Sequence, residues 1–295
     1  MRSIKYAVKG SSLWLFVMVF CVIFTGAPRA RGAELTGDNL AVFITGLSGG
    51  HQFQAYMDEA VGQLQEVLLA NAYARERMIR FSESQDGELQ WGKNVPARVD
   101  RLEPFMTRVA ERTKSYENVF VFIAGHANGR DEEAKFHLGG EDVSYETLIR
   151  WIDGIPAERL ILILAAPQGE VWIRSLSGPG RVLIVGNGFR EFDFLPTLFL
   201  RLFPEIFREL SEAAEAEGIG SISLRDVFIE TQTRVQEWYR VNGLHPTEVA
   251  LIDADGDQRG ETLMELQDGE DVPAVKSILF KIPGGSNHER SDKNR

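Results

Sequence analysis

Residues 118–126 read NVFVFIAGH, an apolar run that ends in a glycine and a histidine. Two later runs, LILIL at 160–164 and RVLIV at 181–185, are also strongly apolar, and LAVFIT at 40–45 comes before them. Short apolar runs without polar alternation are typical of strands that are buried on both faces of a parallel sheet. We therefore predict that these four segments are strands of one parallel sheet.

Helical patterns separate the apolar runs. Phe53, Met57, Val61, Leu64 and Leu68 follow one another at intervals of three or four residues, as on one face of an amphipathic helix. Further elements are predicted as helices near 99–109, 144–152, 196–213 and 224–240, strands near 77–81 and 248–252, and a loop at 82–92. Helices between parallel strands cover both faces of the sheet. The predicted fold class is α/β, with a mostly parallel central sheet between two helical layers.

The first 33 residues predict export. Arg2, Lys5 and Lys9 precede the apolar run 13–24, and small residues follow it, which is the pattern of a secretory signal peptide. The run is shorter than the roughly 20 residues of a spanning helix, although an uncleaved short anchor stays open as an alternative. We expect a signal peptide at 1–33, one domain at 34–282 and a disordered polar tail at 283–295, in a periplasmic or extracellular protein.

Charge and cysteine content exclude several classes of function. The formal net charge is -11, and removal of the five cations in 1–33 makes it -16. An acidic surface disfavours nucleic acid as a partner, and it disfavours membrane surfaces beyond the signal or anchor segment. The single cysteine, Cys21, lies in the apolar segment, so the mature chain has no thiol. The five histidines show no zinc-ligand spacing.

Three turns follow the predicted strands at the edge where parallel sheets place functional crevices. They read TGLSGGH at 45–51, GHANGR at 125–130 and AAPQG at 165–169. The first lacks the lysine and hydroxyl residue of a phosphate-binding loop and the GxGxxG pattern of a dinucleotide site. We interpret it as a tight turn between a strand and a helix.

The second and third turns resemble motifs of the caspase/legumain superfamily of C13-type cysteine peptidases. Gly125-His126 is similar to the histidine motif of that family, and residues 165–169 align with its Ala-Cys-x-Ser-Gly turn. Segments near 175–188, 223–243 and 246–257 extend the resemblance to about residues 40–260. These segments resemble a bacterial branch of the superfamily whose members are often exported. The resemblance implies a caspase-like three-layer α/β/α sandwich, and it places Ala166 at the cysteine position, where a methyl group cannot act as a nucleophile.

The resemblance implies an exported pseudo-peptidase without a cofactor, which binds a peptide or a protein of the cell envelope. Its vestigial cleft is expected to contain Gly46, Gly125, His126, Ala166, Gln168 and Asn187. One alternative is that His126 is a strand-end histidine with structural contacts only. Two others are a hydrolase with another nucleophile or a metal, and a structural envelope protein that calcium stabilises.

The second candidate functional site is a calcium-binding loop near the C-terminal end of the predicted domain. Carboxylates alternate along the sequence DADGD, at Asp253, Asp255 and Asp257, as at the start of a calcium-binding loop. The pattern departs from the EF-hand, because Gly256 comes early and Met264 stands where a bidentate glutamate is required. Glu261 is a possible substitute. The alternative is an exposed acidic turn that is held by Asx-type hydrogen bonds.

Overall fold

The computed structural model describes residues 38–71, 73–83, 87–88, 93–112, 114–188, 197–217, 221–268 and 279–281. The signal peptide or anchor at 1–33 and the tail at 283–295 lie outside these residues, so both stay predictions. Within the described ranges, no helix has both the length and the apolar composition that a membrane crossing requires.

Strands and helices alternate along most of the described chain. The strands are β1 (Asn39–Thr45), β2 (Met78–Ser82), β3 (Gly87–Glu88), β4 (Lys93–Pro96), β5 (Tyr116–Ala124), β6 (Ala127–Asn128), β7 (Lys135–Phe136), β8 (Val143–Ser144), β9 (Ala157–Ala165), β10 (Arg181–Val185), β11 (Ser221–Ser223), β12 (Leu251–Asp253) and β13 (Leu279–Lys281). The α-helices are α1 (His51–Ala70), α2 (Val99–Ala110), α3 (Tyr145–Asp153), α4 (Gly169–Leu176), α5 (Leu198–Ala216), α6 (Leu224–Val241) and α7 (Leu263–Asp268).

In the described part of the chain, the central sheet has eight strands in the order β12-β10-β9-β5-β1-β2-β4-β3. All neighbours from β10 to β4 are parallel, and the two edge strands, β12 and β3, are antiparallel to their neighbours. In the middle of the sheet, Val121 is in register with Val42 on one side and Leu162 on the other. The carboxyl ends of β1, β5, β9 and β10 therefore lie along one edge of the sheet.

Both faces of the sheet are buried, which explains the continuous apolar runs. Along β5, Phe120 and Phe122 face one hydrophobic cluster, whereas Val119, Val121 and Ile123 face the other. The first cluster includes side chains of α1, α5 and α6, and the second includes side chains of α2, α3 and α4. The predicted α/β class, three layers with a mostly parallel sheet, is confirmed.

Two predicted helix starts are also confirmed, because a serine caps each of them. The Ser144 hydroxyl accepts a hydrogen bond from the Thr147 N–H at 3.1 Å, at the start of α3. The Ser223 hydroxyl accepts one from the Asp226 N–H at 3.1 Å, at the start of α6. These side chains satisfy backbone donors that have no partner within the helix.

The last strand starts later than predicted, at Leu251 rather than Glu248. Glu248 is buried, and its two carboxylate oxygens accept the N–H groups of Leu198 at 2.8 Å and Phe199 at 3.1 Å, the first residues of α5. Burial raises the pKa of Glu248, and these hydrogen bonds oppose that rise. The residue therefore caps a helix instead of pairing in the sheet.

Candidate functional site

The strand-end crevice is the region around four turns, 46–50, 125–126, 166–168 and 186–188, which follow β1, β5, β9 and β10. The turn 46–50 connects β1 directly to α1, as predicted from its sequence. Since these strands are parallel neighbours, the turns lie side by side along one edge of the sheet. The topology thus brings the turns that contain the candidate residues to one edge of the sheet.

Gly46 and Gly125 lie where two strand ends pack beneath an aromatic ring. The Gly46 N–H donates to the Ala124 carbonyl at 2.9 Å. A Cβ atom on Gly46 would lie 2.5 Å from the His137 carbonyl oxygen and 2.9 Å from the ring of Phe136. A Cβ atom on Gly125 would lie 2.8 Å from the same ring. Both positions thus exclude a side chain for reasons of packing.

His126 is half-buried and bonds to the first turn. Its Nε2 atom lies 3.3 Å from the Ser48 carbonyl oxygen, so this nitrogen is the donor. The imidazole ring also packs against the Phe53 ring, with a centroid distance of 4.9 Å. The Ser48 hydroxyl in turn donates to Glu83 Oε2 at 2.9 Å, and the Ser48 N–H donates to the same oxygen at 3.0 Å.

Ser48 is the nucleophile-type side chain next to His126, but the two are not arranged as a dyad. A serine nucleophile requires its hydroxyl to be hydrogen-bonded to a base. Here the histidine bonds to the Ser48 carbonyl, and the hydroxyl bonds to a carboxylate. These contacts hold the turn 46–50 in place, and they leave the Ser48 hydroxyl without a hydrogen bond to His126.

Ala166 has 1% of its surface exposed and belongs to the hydrophobic cluster that includes α2, α3 and α4. The next residue is also fixed, because the Tyr145 hydroxyl donates to the Pro167 carbonyl at 2.8 Å. One residue earlier, the Ala165 carbonyl accepts the Gly125 N–H at 3.3 Å. The turn after β9 therefore points its alanine methyl into the core.

Gln168 connects this turn to the loop after β6. It has a left-handed backbone, with φ of 61°, and is 1% exposed. Its Oε1 atom accepts the Asp131 N–H at 2.8 Å, and its Nε2 atom donates to the Gly129 carbonyl at 2.9 Å. The side chain uses both ends of its amide to hold residues 129–131 against the turn.

Replacing Gln168 by alanine is expected to lower the free energy of unfolding by about 1–2 kcal/mol, because the Asp131 N–H and the Gly129 carbonyl lose partly buried hydrogen bonds to a side chain that is 1% exposed. Urea denaturation measures this change. Gln52→Ala, at an exposed position on α1, is the control and should change stability by less than about 0.5 kcal/mol. Equal losses of stability for Gln168→Ala and Gln52→Ala would show that the hydrogen bonds of the Gln168 amide do not stabilise the fold.

Asn187 is buried, at 3% exposed, in the turn after β10. Its backbone carbonyl accepts the Gly169 N–H at 2.9 Å, so it joins the end of β10 to the first residue of α4. A Cβ atom on Gly169 would lie 2.5 Å from the Val185 side chain. Of the six predicted cleft residues, the structure places all six along one edge of the sheet, but only His126 is partly exposed.

A second histidine lies beside the crevice, and sequence reasoning missed it. His137 Nδ1 lies 3.0 Å from Asp142 Oδ2, and both side chains are partly exposed. The His137 N–H donates to the His126 carbonyl at 3.0 Å, and its carbonyl accepts the Leu47 N–H at 2.9 Å. The placement depends on a three-stranded antiparallel sheet of β6, β7 and β8, whose two-residue strands carry no detectable pattern.

The acidic turn lies at the opposite end of the sheet. Because β12 is antiparallel to β10, with Asp253 in register with Leu183, the chain after Asp253 runs towards the amino end of β10. Asp253, Asp255 and Asp257 come together there, with one oxygen from each within 4.8 Å of the other two. The acidic turn and the strand-end crevice are separate regions of the molecule.

The topology and the helices on both faces define a three-layer α/β/α domain with a mostly parallel central sheet. Solved structures similar to this chain include the Drosophila initiator caspase Dronc, at 10% identity and TM-score 0.44, covering 77% of this chain and 90% of that one. Caspase-1 from Spodoptera frugiperda is 11% identical with TM-score 0.45, covering 77% of this chain and 94% of that one. No protein-family model and no curated protein matches the sequence. The likeness concerns the fold, and the narrower C13-type assignment stays a prediction.

Proposed function

We propose that this chain is an exported, non-catalytic domain of caspase-like fold that binds a peptide or protein segment in the strand-end crevice. The observation that carries the proposal is the buried methyl of Ala166 in the turn after β9. The sequence resemblance puts the nucleophile of C13-type peptidases at that position. An alanine there leaves the neighbouring histidine without a group to activate.

The arrangement of His126 supports a non-catalytic role. Its Nε2 atom donates to the Ser48 carbonyl, and its ring packs on Phe53. These contacts suit a histidine that orders a turn or contacts a bound chain. The only cysteine of the sequence, Cys21, lies in the expected signal segment, so no thiol is available in the mature chain.

Two features favour the crevice over the sheet edges as the binding place. An extended peptide can add to a free sheet edge, but Ile252 of the edge strand β12 already pairs with Glu261 through two hydrogen bonds of 3.0 and 2.8 Å. Among the residues that the structure describes, the opposite edge strand, β3, has two residues. At the crevice, by contrast, the half-buried His126 and the His137–Asp142 pair offer polar groups beside the exposed Glu83.

Export is supported by the sequence of residues 1–33 alone. Fractionation of cells that express the full chain tests it, with a chain lacking residues 2–33 as the control. We expect the full chain outside the cytoplasm and the control inside. Retention of both in the cytoplasm would contradict the export part of the proposal.

Peptide selection from a displayed library, followed by fluorescence anisotropy on the selected peptides, tests the binding function. His126→Ala is expected to weaken binding about tenfold or more, as the loss of one central contact does. Glu158→Ala, at an exposed position near the amino end of β9 and therefore at the opposite end of the sheet, is the control and should leave binding unchanged.

The same peptides distinguish the alternative of a hydrolase. Incubation with the purified chain should leave them intact. Cleavage that disappears in Ser48→Ala or His126→Ala would replace the binding proposal by a hydrolase with Ser48 as its nucleophile. Binding that survives His126→Ala unchanged would remove the crevice as the binding place.

A further inference from the structure

The loop that carries the acidic residues, 253–261, is held at both ends. It leaves β12 at Asp253 and returns to it where Ile252 and Glu261 exchange hydrogen bonds of 3.0 and 2.8 Å. In between, the Gln258 N–H donates to the Ser177 hydroxyl at 3.0 Å. A Cβ atom on Gly256, where φ is 78°, would lie 2.6 Å from the Gly178 carbonyl oxygen. The loop is thus packed against the turn between α4 and β10.

The three aspartates meet the spacing that one cation requires. One carboxylate oxygen from each lies within 4.8 Å of the other two. Calcium binds oxygens at about 2.4 Å, so two oxygens on one ion are separated by no more than about 5 Å. Each carboxylate uses its Oδ1 atom to accept an N–H of the loop, from Gly256, Asp257 and Arg259 in turn. The second oxygen of each stays available as a ligand.

Asp253 provides an independent observation. Its side chain is fully buried, at 0% exposed, and among the described residues its Oδ2 atom has no hydrogen-bond partner. A buried carboxylate oxygen without a donor or cation is strongly unfavourable. Two more carboxylates beside it add repulsion rather than relief. A bound cation would give the Asp253 Oδ2 atom a partner and would offset the repulsion among the three carboxylates.

Glu261 is the fourth carboxylate of this region. Burial and then the charges of Asp255, Asp257 and Asp253 raise its pKa, and the Arg225 charge opposes that rise. In the order of an EF-hand, Asp253, Asp255 and Asp257 are the first, third and fifth positions, and Glu261 is the ninth. Gln258 takes the sixth position, and its φ of 72° is the left-handed conformation for which EF-hands use glycine.

We propose that Asp253, Asp255 and Asp257 bind one calcium ion, which fastens the end of β12 to the turn between α4 and β10. Calcium is the fitting ion because all the ligand atoms are hard oxygens on a negatively charged loop. The site lies at the opposite end of the sheet from the crevice, so the inference is independent of the proposed function.

Thermal unfolding of the full chain in calcium and in EDTA tests the site. With free calcium about a hundredfold above its dissociation constant, one-site linkage raises the unfolding midpoint by about 5 °C or more. Asp255→Asn keeps the hydrogen-bond acceptor for the Asp257 N–H but removes the charge, and it should lose most of this shift. Glu103→Gln, an exposed change on α2, should keep it. A midpoint that calcium does not move, or a shift that Asp255→Asn retains, would overturn the site.

A second variant separates metal binding from damage to the fold. In EDTA, Asp253→Asn should have a midpoint equal to or above that of the wild type, because it removes a buried charge from a group of anions. In calcium the same variant should lie below the wild type. Isothermal titration should give one ion per wild-type chain and none for Asp253→Asn. A variant less stable in EDTA that still binds one ion would contradict the proposal.

Discussion

Replacing Gly46 by alanine is expected to lower the free energy of unfolding by about 3 kcal/mol. The new methyl group would lie 2.5 Å from the His137 carbonyl oxygen and 2.9 Å from the Phe136 ring, which is 0% exposed. Neither neighbour moves easily, since one is backbone and the other fills the core beneath the crevice. The strain must therefore separate β7 from the ends of β1 and β5.

Gly50→Ala is the matched control in the same turn. A Cβ atom there would meet no atom within 4 Å, and its φ of 173° is open to any residue. Its cost should stay under about 1 kcal/mol, which reflects the weaker capping by alanine at a helix start. Urea denaturation of both variants measures the difference. Similar urea midpoints for Gly46→Ala and Gly50→Ala would mean that the β7 segment moves to accommodate the methyl group at position 46.

The central strands could be predicted from the sequence because each is buried on both faces. β5 and β9 could be predicted without knowing which strands pair with them, because an unbroken apolar run such as LILIL does not fit an element with one face in solvent. The short strands β6, β7 and β8 could not be predicted, because two residues establish no periodicity. The predicted loop 82–92 likewise contains β3, and β4 follows it, although both belong to the central sheet.

The candidate site was predictable in position but not in detail. Strand order alone brings His126 and Ala166 to neighbouring strand ends, as predicted. The contacts of Gln168 with residues 129 and 131 span almost forty positions in sequence and depend on a left-handed backbone at a non-glycine residue. The pairing of His137 with Asp142 depends on the small sheet, which had no sequence signal. Local patterns do not record such long-range contacts.

The molecule thus places its two candidate sites at opposite ends of one sheet. The end formed by β1, β5 and β9 is held by hydrogen bonds, among them those of Ser48 to the Glu83 carboxylate, and by aromatic packing. The carboxylates of Asp253, Asp255 and Asp257 lie at the other end, beyond β12, and Asp253 is buried. Loss of calcium should weaken the second end without changing peptide binding at the first, because the rigid sheet separates them.

A thiol introduced by Ala166→Cys is expected to react slowly in the folded protein. The position is 1% exposed, and the Tyr145–Pro167 and Gln168–Asp131 hydrogen bonds cover the turn. A buried thiol reacts only when the surrounding structure opens. In a Cys21→Ser background, we expect labelling by an aromatic disulfide reagent to be about 100-fold or more slower than for Gly50→Cys, an exposed position.

Adding Gln168→Ala to Ala166→Cys should accelerate the labelling, because it releases residues 129–131 from the turn. Peptides with Asn or Asp at the scissile position should stay intact with the single variant, since a buried thiol lacks both access and a free histidine. Fast labelling together with cleavage of such peptides would contradict this expectation. It would mean that the crevice opens in solution, and that the missing cysteine alone separates this domain from a peptidase.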